Sequence, residues 1–156
     1  MLLRISLAAA ALLAAAPGHA APRVGEIDIR TGSSGVPCFT ITAAEEQRSG
    51  EPNFQSIAVS DSAAGVMWKM AMPKPRTFPL TIHMCVPYGG RLPVLPQTPS
   101  ARLQSGKTYD VAIQVAPSRV AGAPRFYRGR FCVKGNEGAW TIARPDGPAH
   151  GACALR

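Results

Sequence analysis

The chain has 156 residues, 46% of them hydrophobic, and its 17 Lys plus Arg outweigh 9 Asp plus Glu for a net charge of +8. That length suits one domain with a core of its own. The charge leaves an acidic partner or an anionic envelope surface open, whereas no basic run is interleaved with aromatics as a nucleic-acid groove requires, so nucleic acid is not expected as a partner.

Residues 1–20, MLLRISLAAAALLAAAPGHA, carry Arg4, an apolar run from Ile5 to Ala16, and small residues at Gly18 and Ala20. This reads as a cleaved Sec-type signal peptide. The run is too short for a span, which needs about 20 apolar residues. No later stretch is long and apolar enough to span a membrane, and no cysteine lies at the cleavage site to carry a lipid. The expectation is a periplasmic, non-lipidated chain, its mature domain running from 21 to 156. The richness in Ala, Arg, Pro and Gly suits a bacterial source.

Val24–Arg30 alternates through Ile27 and Ile29 and predicts a first strand. Val36–Thr42 predicts a second, with Phe39 and Ile41 on one face. Ala43–Asn53 is polar and holds a helical turn at AAEEQ. Gln55–Ser60 and Val66–Met72 flank DSAAG and predict a hairpin. Pro73-Lys74-Pro75 ends it, because proline donates nothing to a ladder. Phe78–Gly90, FPLTIHMCVPYGG, predicts a central strand, with Leu80, Ile82, Met84 and Val86 on one face and Thr81, His83 and Cys85 on the other. A Pro-rich connection follows to Gly106; connections of that length are often functional. Lys107–Ala116 alternates most clearly of all, through Tyr109, Val111, Ile113 and Val115. Arg125–Val133 follows, then a turn at Gly135–Gly138 and a return strand at Ala139–Ala143.

About eight short strands with regular turns predict an all-β fold, an antiparallel β-sandwich of immunoglobulin-like dimensions, with a closed barrel as the alternative. Four cysteines in an exported chain imply two disulfides among Cys38, Cys85, Cys132 and Cys153, and three pairings are open. A return of the tail past the last hairpin would join Cys132 to Cys153 and leave Cys38 for Cys85. Cys38, Cys85 and Cys132 fall on the strand faces opposite the apolar set, so the bridges are expected to staple the outside of the fold.

Catalytic chemistry finds little footing. His83 has no nucleophile motif beside it, and His150 lies in a Gly- and Pro-rich tail. Glu26 and Asp28 share a strand face but read as its exposed side. Met67, Met70, Met72, His83 and Met84 offer thioethers and an imidazole that suit copper, although methionine on an apolar face is ordinarily core filling. The expectation is a non-enzyme without a cofactor or metal. Arg125, Arg128 and Arg130 lie on or beside one strand, near Arg119 and Lys134. Arginine grips carboxylates bidentately and is enriched where proteins meet, so these three are candidate partner-binding residues, with Tyr88 and Arg91 at the start of the long connection.

Read together, the segments Pro37-Cys38-Phe39-Thr40-Ile41, Trp68, Cys85-Val86-Pro87-Tyr88-Gly89, Leu103, Tyr109-Asp110-Val111-Ala112-Ile113 and Tyr127-Arg128-Gly129-Arg130-Phe131-Cys132-Val133 follow a familiar order. Over residues 36 to 133 the chain resembles the small periplasmic immunity lipoproteins encoded with type VI secretion effectors. The resemblance implies a periplasmic protein that binds a cognate effector and neutralises it, with no catalytic residue to carry over; a monomer or small homo-oligomer is expected. Family members typically carry a lipid-bearing cysteine at the cleavage site, which this chain lacks. Alternatives of other classes are an envelope-stress or lysozyme-inhibitor-like accessory protein, and a periplasmic copper-binding protein.

Overall fold

The structure is a computed structural model that describes residues 23–33, 35–90, 95–145 and 153. The expected signal peptide, Arg91 and His150 lie outside the described residues. Among these residues nine strands and one helix run in the order β1 (Val24–Thr31), β2 (Pro37–Ile41), α1 (Ala43–Ser49), β3 (Asn53–Asp61), β4 (Gly65–Ala71), β5 (Phe78–Pro79), β6 (Val86–Pro87), β7 (Thr108–Val115), β8 (Phe126–Lys134) and β9 (Thr141–Ala143). They form one curled sheet in the order β4-β3-β7-β8-β1-β2-β6, with β5 added to β3 and β9 to β8.

The sheet is mixed rather than wholly antiparallel as expected. Val24, Gly25 and Glu26 of β1 run parallel to Phe126, Tyr127 and Arg128 of β8. The other ladders are antiparallel, including the β3–β4 hairpin and the β7–β8 pair. Alternation explains these strands directly: in β7, Tyr109, Val111, Ile113 and Val115 are buried while Thr108, Asp110 and Gln114 are exposed. The curl brings inward-facing rings together. Phe39 of β2 and Tyr109 of β7 each lie with ring centroids 5.5 Å from Phe131 of β8.

The helical turn expected at AAEEQ extends to α1. Thr42 caps it, its hydroxyl accepting from the Glu45 N–H at 3.3 Å. Gly50, at φ 72°, ends it with its N–H donating to the Glu46 carbonyl; this left-handed geometry favours glycine.

The stretch FPLTIHMCVPYGG departs most from expectation. Only Phe78–Pro79 and Val86–Pro87 are strands, and a turn separates them. The Met84 N–H donates to the Thr81 carbonyl at 3.1 Å, and the His83 N–H to the Thr81 hydroxyl at 3.2 Å. Pro79 and Pro87 bring no N–H to a ladder, and Thr81 offers local acceptors that favour a turn. His83 and Met84 are exposed on that turn.

Both disulfides form as the tail argument favoured: Cys38–Cys85 with Cα atoms 5.4 Å apart, and Cys132–Cys153 at 5.6 Å. Their expected position on the outside of the fold is corrected. Cys38 is 4% exposed and Cys132 is fully buried. The face of β2 opposite the core is itself covered, since all five of its residues are buried. The 80–85 turn lies over it, where the Thr40 hydroxyl donates to the Thr81 carbonyl at 2.7 Å. Cys132 lies where β9 pairs with β8 and the tail returns.

The Pro-rich connection is also partly structural. Residues 96–101 run along the free edge of β4: Ala71 N–H donates to Pro96, Thr98 and Lys69 bond reciprocally, and Ala101 N–H donates to Met67. An open strand edge invites pairing with other chains, and this segment covers it.

A basic outer face as candidate functional site

Across the outer side of the sheet, register aligns residues in rows. One row runs Ala71, Ser56, Gln114, Phe126 and Val24 from β4 through β3, β7 and β8 to β1. The next runs Lys69, Ala58, Ala112, Arg128 and Glu26. The small residues Ser56, Ala58 and Ala112 make a low floor, with Lys69 on one flank and Arg128 on the other. Adjacent strands are about 4.8 Å apart, so the three spacings from β4 to β8 make a shallow trough roughly 14 Å wide.

Strand β8 positions the arginines by alternation. Tyr127 and Phe131 enter the core while Phe126, Arg128 and Arg130 face solvent. Arg125 is exposed just before the strand. Arg130 pairs with Asp110 at 3.0 Å, both side chains about half exposed. The side chains of Arg125 and Arg128 make no hydrogen bond or ion pair among the described residues. The structure thus places Arg128 and Arg130 together on the outer face, with Arg130 already matched to an acid across the ladder, while Arg125 is exposed just before the strand.

Beside them stands an apolar pair. Val24 is 51% exposed and Phe126 is 46% exposed, and they are direct cross-strand partners. The composition-level reading passed over both, because a single exposed valine or phenylalanine is ordinary. Their adjacency follows from the parallel β1–β8 pairing, for which sequence offered no signal. That pairing needs Gly25, since a Cβ there would run into the Tyr127 ring. Arg23 anchors the start of β1: its Nη1 lies 2.6 Å and 2.7 Å from the two oxygens of the buried Glu45 carboxylate, and its Nε donates to the Gly122 carbonyl. Its hydrogen bond to the Glu45 carboxylate, together with that charge, raises the Arg23 pKa against the opposing effect of burial.

Tyr88 leaves the candidate surface. It is 9% exposed, its hydroxyl donates to the Ala101 carbonyl at 2.7 Å, and its ring meets Trp68 edge-on at 5.6 Å. Burial pushes its pKa up to about 12. Its role is to hold the seam where the two ends of the curled sheet meet.

The acids and methionines are dispersed. Asp28 is held by Arg30 at 2.7 Å and by Arg144 at 3.4 Å, while Glu26 lies opposite Arg128 in register. Met70 is buried in the core, and Met67 and Met72 pack against it. Met70 and Met84 do line one apolar cavity of about 270 Å³, with Phe78, Val86 and Pro87. Among the described residues no three His, Cys, Asp or Glu side chains cluster as a metal site would require. No helix of the described residues is long and apolar enough to cross a membrane.

Comparison with protein-family models, with curated proteins and with solved structures finds no match to this chain.

Proposed function

We propose that the protein is a periplasmic immunity protein that binds a cognate type VI secretion effector through the outer face of its sheet and neutralises it by occupying the effector's surface. The observation that carries this reading is the exposed Phe126–Val24 pair set beside Arg128 on the same face, with Arg125 exposed next to Phe126 in the chain. An aromatic anchor flanked by arginines is the composition that dominates binding energy where proteins meet. Without Arg4 the chain's net charge falls from +8 to +7 (16 basic against 9 acidic residues), which steers an acidic partner toward it.

The two disulfides agree with folding in an oxidising compartment; in this reading residues 1–20 direct export and are removed. We read the curled sheet as a sandwich of immunoglobulin-like dimensions, with the β4-β3-β7-β8 run as one layer and the β2–β6 end folding over it as the other. The Phe39–Phe131 contact supports that packing.

The test is co-expression with the product of the adjacent gene. A toxic neighbour whose killing is relieved by this protein, with a stoichiometric complex recovered on purification, is the expected result. Continued killing, with no complex, overturns the reading.

A further inference from the structure

At the β4 flank of the outer face lies a second, polar pocket of about 200 Å³. Its cationic lining is Lys69 on β4 and Lys74 and Arg76 in the loop after it, joined by Gln55, Ser56 and Gln114. No acidic residue lines it. Lys69, Lys74 and Arg76 are exposed and make no ion pair among the described residues. Arg23, Arg30, Lys107, Arg102 and Arg130, by contrast, each have a carboxylate within 4 Å.

The positions of these cations are set by the fold. Lys69 projects from β4, whose edge is held by the reciprocal bonds to Thr98. The loop Pro73–Arg76 closes on itself through the Arg76 N–H, which donates to the Pro73 carbonyl at 2.7 Å. Gln114 and Ser56 are direct partners across the β3–β7 ladder and floor the pocket with an amide and a hydroxyl. Neutral donors and cations thus converge from three strands and a turn.

We propose that this pocket binds a phosphate group. Three formal positive charges exceed what one carboxylate balances, whereas a phosphomonoester carries about −1.5 to −2 at neutral pH and presents three acceptor oxygens. An arginine fork matches two of those oxygens, and lysines act as point charges on the others. Gln55, Gln114 and Ser56 can donate to a phosphate oxygen without adding charge. The inference does not need the effector reading, because it uses none of Phe126, Val24 or Arg128. The shared chemistry comes from two sources, a soluble phosphate ester or the headgroup of an anionic phospholipid.

The experiment has two arms. In the first, backbone amide shifts of the full mature protein are followed during titration with inorganic phosphate at constant ionic strength held with chloride. Saturable shifts confined to Lys69–Arg76 and to Gln55, Ser56 and Gln114 are expected, and a Lys74→Gln/Arg76→Gln variant should weaken binding by about tenfold or more. In the second arm, sedimentation with phosphatidylglycerol vesicles is compared with phosphatidylcholine vesicles. Pelleting that the double variant loses and free phosphate displaces assigns the headgroup as source; phosphate binding without pelleting assigns a soluble ester. An Arg102→Gln variant, whose residue does not line this pocket, should behave as the parent in both arms. All these side chains are exposed, so thermal unfolding should be unchanged and folding is not at issue. Shifts spread over all lysines and arginines without saturation, or equal binding by the double variant in both arms, would overturn the proposal.

Discussion

Trp68 and Tyr88 meet edge-on in the seam between the two ends of the curled sheet, while Phe126 and Val24 stand side by side in solvent at its centre. Both regions carry aromatic and apolar groups, but they differ in what those groups already touch. At the seam, the 96–101 segment takes up the backbone bonds of β4, and the Tyr88 hydroxyl is spent on Ala101. On the outer face, the apolar pair lies beside arginines without an ion-pair partner among the described residues. The comparison teaches that aromatic content does not locate a binding site. Unused bonding capacity next to exposed apolar area does.

The sharpest way to break this contrast is to truncate the seam. Trp68→Ala removes a ring that is 1% exposed, and such core truncations cost about 3–5 kcal/mol. Denaturant unfolding should show that loss; a cost near zero would mean the seam carries nothing.

Next in size are the bridges. Replacing Cys132 and Cys153 together by serine frees a loop with a sequence separation of 21, which should lower stability by about 3 kcal/mol. Because Cys132 is buried, the serine hydroxyl adds a burial cost, so a Cys→Ala pair should lose less than the serine pair. Equal losses in the two pairs would argue that this sulfur site is not buried.

Smaller again is Tyr88→Phe, expected to cost about 1 kcal/mol for its hydrogen bond. It also carries a pH signature. Folding favours the neutral phenol, raising its pKa from 10.0 to about 12. The unfolded chain therefore loses this proton first. Stability from this group is level below about pH 10 and falls between pH 10 and pH 12. Tyr127, also raised mainly by burial, acts in the same direction. Tyr88→Phe should make the alkaline decline shallower than in the parent, as measured by denaturant midpoints across that range. An unchanged slope would remove Tyr88 from the account.

The smallest effect on stability belongs to the outer face. Phe126→Ala and Arg128→Glu replace exposed side chains and should stay within about 0.5 kcal/mol of the parent. A larger loss would place them with the seam, as parts of the fold rather than of a surface.

How much of this was legible follows from which interactions are local. The β3–β4 hairpin and β7 announce themselves through Ile57, Val59 and the Tyr109–Val115 alternation, because one face of each is core. The disulfide pairing could be favoured from the chain's return past the last hairpin. FPLTIHMCVPYGG misled because its alternating Leu80, Ile82, Met84 and Val86 imitate a strand, while its two prolines and Thr81 impose a turn. The cysteine faces misled because strand alternation assumes one solvent side, and β2 has none. At the candidate site, the arginines of β8 were legible by spacing. Val24 beside Phe126 was not, since residues a hundred positions apart are joined only by a parallel pairing that leaves no periodic mark. Lys69, Lys74 and Arg76 were equally hidden, spread over a strand and a loop.

The most direct test is the affinity of the adjacent gene's product for this protein and for its Phe126→Ala/Arg128→Glu variant, measured by calorimetry at low and at moderate salt. A hot-spot residue is worth about 2 kcal/mol or more, so losing even one of the two should weaken binding by about 30-fold and losing both by up to about a thousandfold, with a smaller salt dependence than the parent. Unchanged affinity and salt dependence in a folded variant would contradict the assignment of the outer face as the binding surface.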